Sequence, residues 1–207
     1  MSRSIFVALL ALLPATAWAK GEVPFGDPWR SDVYSQTPSW VSTEVFAGVS
    51  TRPLDPTVAT STTGTGSSYG VRGLFHWDHR VSFPLELEWR NYRASAGSLV
   101  AGWLSYESST FMIGTGLRYA PLTIEHFEFA LSGRFGLHST SSNAISAVNN
   151  AGFSWTSDVG YIGGGAEVVF YPLHSLGIGL GYSQDFILES EGVLASGAAS
   201  FRLGWHF

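Results

Sequence analysis

Between Val81 and Arg90 the chain changes character at almost every residue. Val81, Phe83, Leu85, Leu87 and Trp89 are apolar, whereas Ser82, Glu86, Glu88 and Arg90 are polar or charged. Period-two alternation specifies a strand with one apolar and one polar face, because successive side chains leave opposite sides of a pleated backbone. Pro84 falls on the polar face; lacking an N–H for the ladder, it predicts a bulge. The pattern recurs. Tyr69, Val71, Phe75 and Trp77 alternate with Ser68, Gly70, Arg72 and His76. Phe111, Ile113, Leu117 and Tyr119 alternate with Gly114, Gly116 and Arg118, and Phe127, Phe129, Leu131, Phe135 and Leu137 with Glu128, Ser132, Arg134 and Gly136. Leu176, Ile178, Leu180 and Tyr182 alternate with glycines, and Phe201, Leu203, Trp205 and Phe207 with Arg202, Gly204 and His206. Weaker strands around 40–51 and 157–171 bring the total to eight.

The connections alternate in length. Asp78-His79-Arg80, Ala120-Pro121-Leu122 and Pro172-Leu173-His174 read as short turns, whereas 53–66, 93–107, 139–156 and 184–193 read as long polar loops. An even strand number, short turns at one end and long loops at the other are the features of an outer-membrane barrel. The expected fold is therefore all-β: an eight-stranded antiparallel up-and-down transmembrane β-barrel over 39–207.

Residues 1–19 carry Arg3, an apolar run from Ile5 to Leu13 and the small-residue pattern Ala17-Trp18-Ala19, the marks of a cleaved signal peptide. Residues 20–38 form an expected periplasmic leader with three prolines between Lys20 and Ser39. The leading apolar run is too short for a spanning helix, which needs about 20 residues.

Alternation alone does not say which face is wet. Charged residues make up 13% of the chain, about half the usual share of a soluble domain. Lysine occurs once, at Lys20, among eleven basic residues. The apolar faces carry Trp77, Trp89, Tyr119, Phe170, Tyr182 and Trp205, as interfacial girdles require. These features turn the apolar face toward lipid. A formal charge of −5 argues against nucleic acid as a partner. The absence of cysteine removes disulfides, thiolate metal sites and cysteine nucleophiles.

The closing run Phe201, Leu203, Trp205 and Phe207 resembles the terminal strand by which barrel-assembly machinery recognises its clients. With the signal peptide and the strand count, the chain resembles the small eight-stranded outer-membrane barrels of the OmpA/OmpX type. The resemblance is architectural, over roughly 39–207. It implies the outer membrane of a Gram-negative bacterium, outer-membrane lipids as neighbours, and possible extracellular ligands at loops 53–66, 93–107, 139–156 and 184–193.

The inward positions are expected to hold Arg72, Arg90, Arg118, Arg134 and Arg202 against Glu44, Glu86, Glu88, Glu128 and Glu167, with Arg72 opposite Glu86 if Trp77 pairs with Val81. Buried charges must be paired, so these read as ion pairs plugging an interior just wide enough for side chains. A narrow small-solute channel is the competing reading of the same ring of charges.

Some barrels of this size modify lipid A, and one deacylase type there uses His-x-Ser with a glutamate. His138 is the one candidate, but it is followed by Ser139 and Thr140, so the expected serine position holds threonine, and no glutamate lies in the loop that follows. It reads as an ordinary polar strand end beside an outer loop. The six histidines show no metal-ligand spacing, and Asp185, Glu189 and Glu191 read as a solvated acidic loop. Gly163-Gly164-Gly165 lacks the following helix of a phosphate loop and marks a bend or close packing. No cofactor and no metal are expected; the function is structural or surface-interacting rather than enzymatic.

Overall fold

The structure, a computed structural model, describes residues 41–53, 63–77, 80–98, 102–124, 126–146, 152–173, 176–190 and 192–206. The expected signal peptide, the leader and Phe207 lie outside these residues, as do 54–62 of the first expected loop. Eight strands follow one another: β1 Val41–Pro53, β2 Thr63–His76, β3 Val81–Ser98, β4 Gly102–Ile124, β5 Phe127–Ser146, β6 Gly152–Leu173, β7 Leu176–Glu189 and β8 Gly192–His206. Each pairs antiparallel with its neighbours, and β1 pairs with β8 to close the barrel. Closure leaves no edge along the shared wall, so each strand finds its backbone partners within the sheet.

The faces are inverted relative to a water-soluble protein. Outward residues are apolar and exposed, among them Leu131 at 54%, Phe135 at 58% and Leu137 at 67%, while inward residues include arginines and carboxylates exposed by less than a tenth. On β5 the outward apolar run covers 127–137, then gives way to Ser139, Ser141 and Asn143. At about 3.3 Å per residue and a tilt of roughly 40°, such a run rises about 25 Å, the height of a lipid-facing band. Tyr69, Trp89 and Phe111 adjoin on neighbouring strands near its upper end, with ring centroids 6.0 Å and 5.1 Å apart. Tyr182, one of the aromatics expected in the interfacial girdles, lies well inside β7.

Three of the four expected long loops are largely strand. β3 and β4 pair up to Ser98 and Gly102, β5 and β6 up to Ile145 and Gly152, and β7 and β8 up to Glu189 and Gly192. The serines, threonines and glycines of 93–107, 139–156 and 184–193 signal little core but do not prevent pairing. Among the described residues β3 to β6 outrun their neighbours: the ladder with β2 stops at Arg93, and that with β7 at Tyr161. A four-stranded wall thus rises above one side of the rim.

Two of the three turns at the other end are also shorter than expected. Pro121 and Pro172 lie inside β4 and β6, where the register shifts between Tyr119 and Leu122 and between Phe170 and Leu173. Each shift absorbs a proline in the ladder. The preceding amide donates instead to a neighbouring turn: Ala120 N to Arg80 O at 2.7 Å, and Tyr171 N to His126 O at 2.9 Å. Pro84, by contrast, makes no bulge. The β3–β4 register passes from Ser82–Arg118 to Leu85–Thr115 without a shift, and the Thr115 hydroxyl donates to the Pro84 carbonyl at 2.8 Å.

Candidate functional site

The period-two pattern sends charged residues from all eight strands into one interior. There they form two layers. In the lower layer Arg72 donates to Glu44 Oε2 from Nε at 2.9 Å and Nη2 at 2.5 Å, and from Nη2 to Glu167 Oε2 at 2.9 Å. Arg118 bridges Glu128 and Glu167. Arg202 approaches Glu167 at 3.2 Å and Glu44 at 3.7 Å, with its guanidinium 5.3 Å from the Phe46 ring centroid. Three arginines meet three glutamates here.

The upper layer is built around Asp185, which is fully buried. Arg134 grips it with both ends of its fork, Nε to Oδ1 at 2.8 Å and Nη2 to Oδ2 at 2.6 Å, and also reaches Glu86 and Ser183. Arg90 takes Glu88 at 2.7 and 3.0 Å, Asp185 at 2.6 Å and the Ser196 hydroxyl at 2.9 Å. Two guanidiniums therefore serve three carboxylates. The planar five-donor fork of arginine suits such multidentate pairing in a way the single ammonium of lysine does not.

Room for these long side chains comes from the facing strands. A Cβ on Gly163 would sit 2.2 Å from Asp185 Oδ1 and 2.7 Å from the Gln184 carbonyl, and one on Gly181 would sit 2.6 Å from Arg202 Nε. The Gly163-Gly164-Gly165 run is thus close packing, and no register shift marks a bend there. Beyond the upper layer, Met112, Tyr161 and Ile187 form a buried apolar cluster with Val159 and Leu194 against it. Tyr161 lies 5.9 Å from the Arg134 guanidinium and caps the layer.

All ten charged residues expected inside are buried within the barrel. Their partners differ in one respect. Arg72 stands opposite Glu86 on β3 and opposite Glu44 on β1; it bonds to Glu44 and, across the interior, to Glu167, while Glu86 goes to Arg134. Neighbouring strands bring Cα atoms together, but a guanidinium reaches across the interior to whichever carboxylates leave its donors best satisfied. The expected acidic loop is corrected as well. Asp185 is the centre of the upper layer, and Glu189 pairs with Arg52 at 2.6 Å near the top of the interior. Glu191 lies outside the described residues. Five arginines in the two layers face six carboxylates rather than five. Sequence reasoning misses Asp185 and Arg52, although both hold the inward phase of their strands.

His138 is not at a strand end. It lies within β5, facing inward and 2% exposed, with its ring 3.2 Å from the Thr140 hydroxyl, which lies 3.1 Å from that of Thr110. Hydroxyl contacts continue upward through Ser108 and Ser142 at 3.0 Å. No group of metal-ligating side chains occurs among the described residues.

No protein-family model matches the chain, and no curated protein matches it. Among solved structures it is similar to Neisserial surface protein A, with 14% identity, a TM-score of 0.60, and coverage of 82% of this chain and 98% of that one. It is also similar to a major outer membrane protein from Thermus thermophilus, at 12% identity and a TM-score of 0.51, covering 81% of this chain and 99% of the other. What is shared is the fold: the small eight-stranded barrel that the OmpA/OmpX resemblance implies.

Proposed function

We propose that the chain is a non-conducting outer-membrane β-barrel with a structural or cell-surface interaction role. The observation that carries this reading is the filled interior, with two layers of ion pairs beneath an apolar cap. Each carboxylate of the layers has at least one guanidinium partner. Moving an ion through would break several charge-assisted contacts in a place poorly supplied with water. The belt of exposed Leu, Phe and Tyr is too large an apolar surface to leave in water and supports insertion in lipid, which tolerates only closed barrels or helices. Export by a signal peptide over 1–19 and recognition by barrel-assembly machinery through Phe201, Leu203, Trp205 and Phe207 complete the proposal.

Surface interaction is assigned to the tall wall of β3 to β6 rather than to long loops. Among the described residues, Gly152–Gly160 of β6 has no ladder partner on its β7 side. Catalysis is not assigned. His138 is buried among hydroxyls, and among the described residues no carboxylate is bonded to its ring to orient it as a base.

The test is single-channel recording of the refolded chain in a planar bilayer, after its insertion is checked by a gel mobility that shifts on boiling. Insertion with no conductance is expected. Steady conductance would overturn the filled-interior reading and favour the narrow channel.

A further inference from the structure

On five adjacent strands the apolar outer face ends in a band of short polar side chains. In register across the sheet stand Ser67, Asn91, Ser109, Ser141 and Thr156. Ser67, Ser109, Ser141 and Thr156 are exposed and Asn91 half-exposed, with the Ser109 hydroxyl donating to Asn91 Oδ1 at 3.0 Å. At about 4.8 Å between strands the row is roughly 19 Å wide. The Tyr69, Trp89 and Phe111 rings lie directly below it on three of these strands. The row therefore sits where a lipid headgroup would meet the wall.

The row has no ionisable group. Immediately above, Arg93 and Glu107 face each other at 3.3 Å and cancel, while Asp158, beside Ser139 one step below the row at the level of the aromatic rings, adds one negative charge. A face for phosphate would present unpaired arginine or lysine. This one presents four hydroxyls and one amide that both donate and accept, on short side chains with little rotamer freedom to lose on binding.

We propose that this face binds the neutral sugar headgroup of a glycolipid in the outer leaflet, with sugar hydroxyls on the Ser/Thr/Asn row and acyl chains along the apolar belt below. The proposal rests on the membrane reading above, and two measurements keep the two apart.

Insertion is scored first by heat-modifiable mobility. The refolded chain in detergent is then titrated by native mass spectrometry with digalactosyl diacylglycerol, phosphatidylglycerol and bisphosphorylated lipid A, alongside the variant S109V/S141V/T156V. Valine suits exposed strand positions, so the variant is expected to keep its mobility shift. The galactolipid is expected to bind about tenfold more tightly than phosphatidylglycerol, and the variant to lose about tenfold toward the galactolipid alone, the scale of a few net hydrogen bonds. Equal affinity for all lipids, an unaltered variant, or a preference for lipid A that follows its phosphates would overturn the proposal while leaving the barrel in the membrane. A dimer abolished by the variant would assign the face to a second copy and also overturn it. Failure to insert would overturn the membrane reading itself, and this proposal with it.

Discussion

Arg134→Met is the sharpest probe of the interior. Arg134 bonds to Asp185 twice, reaches Glu86 and Ser183, and lies 3.4 Å from Glu88. Methionine keeps much of the length and removes the charge, leaving Glu86, Glu88 and Asp185 with Arg90 as the one guanidinium of that layer. The layer then carries two uncompensated negative charges in place of one. Breaking a buried pair from one side costs about 3–5 kcal/mol, or two to nearly four orders of magnitude in the folding equilibrium. Asp185→Asn acts in the opposite direction: it removes charge-assisted acceptors from both arginines but leaves two guanidiniums facing two glutamates. It should cost less, about 1.5–3 kcal/mol. The double variant restores the net charge of the original layer, so its cost should fall short of the sum of the singles by about 1–3 kcal/mol. Urea unfolding of the barrel in phospholipid vesicles, followed by tryptophan fluorescence and gel mobility, measures all four corners of the cycle. Strict additivity, or an Arg134→Met cost under about 1 kcal/mol, would refute the claim that the interior is a dry, mutually dependent network.

Three further outcomes follow from the geometry. Gly163→Ala should destabilise the barrel by about 1–3 kcal/mol in the same assay, because its methyl would meet Asp185 Oδ1 and a backbone carbonyl. Phe135→Arg, on the outward face inside the apolar band, should cost about 2–4 kcal/mol, whereas Ser141→Arg above the band should cost under about 1 kcal/mol. His138→Ala should leave lipid A composition unaltered when the protein is expressed in a Gram-negative host, read by mass spectrometry of extracted lipid A; a change in acylation would restore the enzymatic reading.

The wall and its two faces are legible in the sequence because both follow from local alternation. Val81 to Arg90 and Phe127 to Leu137 fix which residues point inward, and register then follows from closing the sheet. What stays hidden depends on where alternation ends. Ser183, Asp185, Ile187 and Glu189 continue the inward phase of β7, opposite Tyr182, Gln184, Phe186 and Leu188. Their polarity resembles that of a loop, which disguises the central carboxylate of the upper layer as a solvated one. Polar composition marks distance from lipid, not the end of a strand, and the wall of β3 to β6 is the physical consequence. Pairing inside is hidden too. Of its two opposed glutamates Arg72 bonds to Glu44 and not Glu86, and it takes Glu167 from across the barrel, because long side chains compete in an interior only a few side chains wide.

The central claim is the inside-out wall, and the cysteine-free chain permits a direct measurement of it. Single cysteines placed at successive positions from 127 to 143, carrying spin labels in vesicles, report collisions with lipid-soluble oxygen and with a water-soluble nickel chelate. The account predicts oxygen access at 127, 129, 131, 133, 135 and 137, chelate access at 139, 141 and 143, and restricted access to both at the even positions between. Chelate access along the whole odd series from 127 would mean that the apolar face meets water, and the membrane barrel would be wrong.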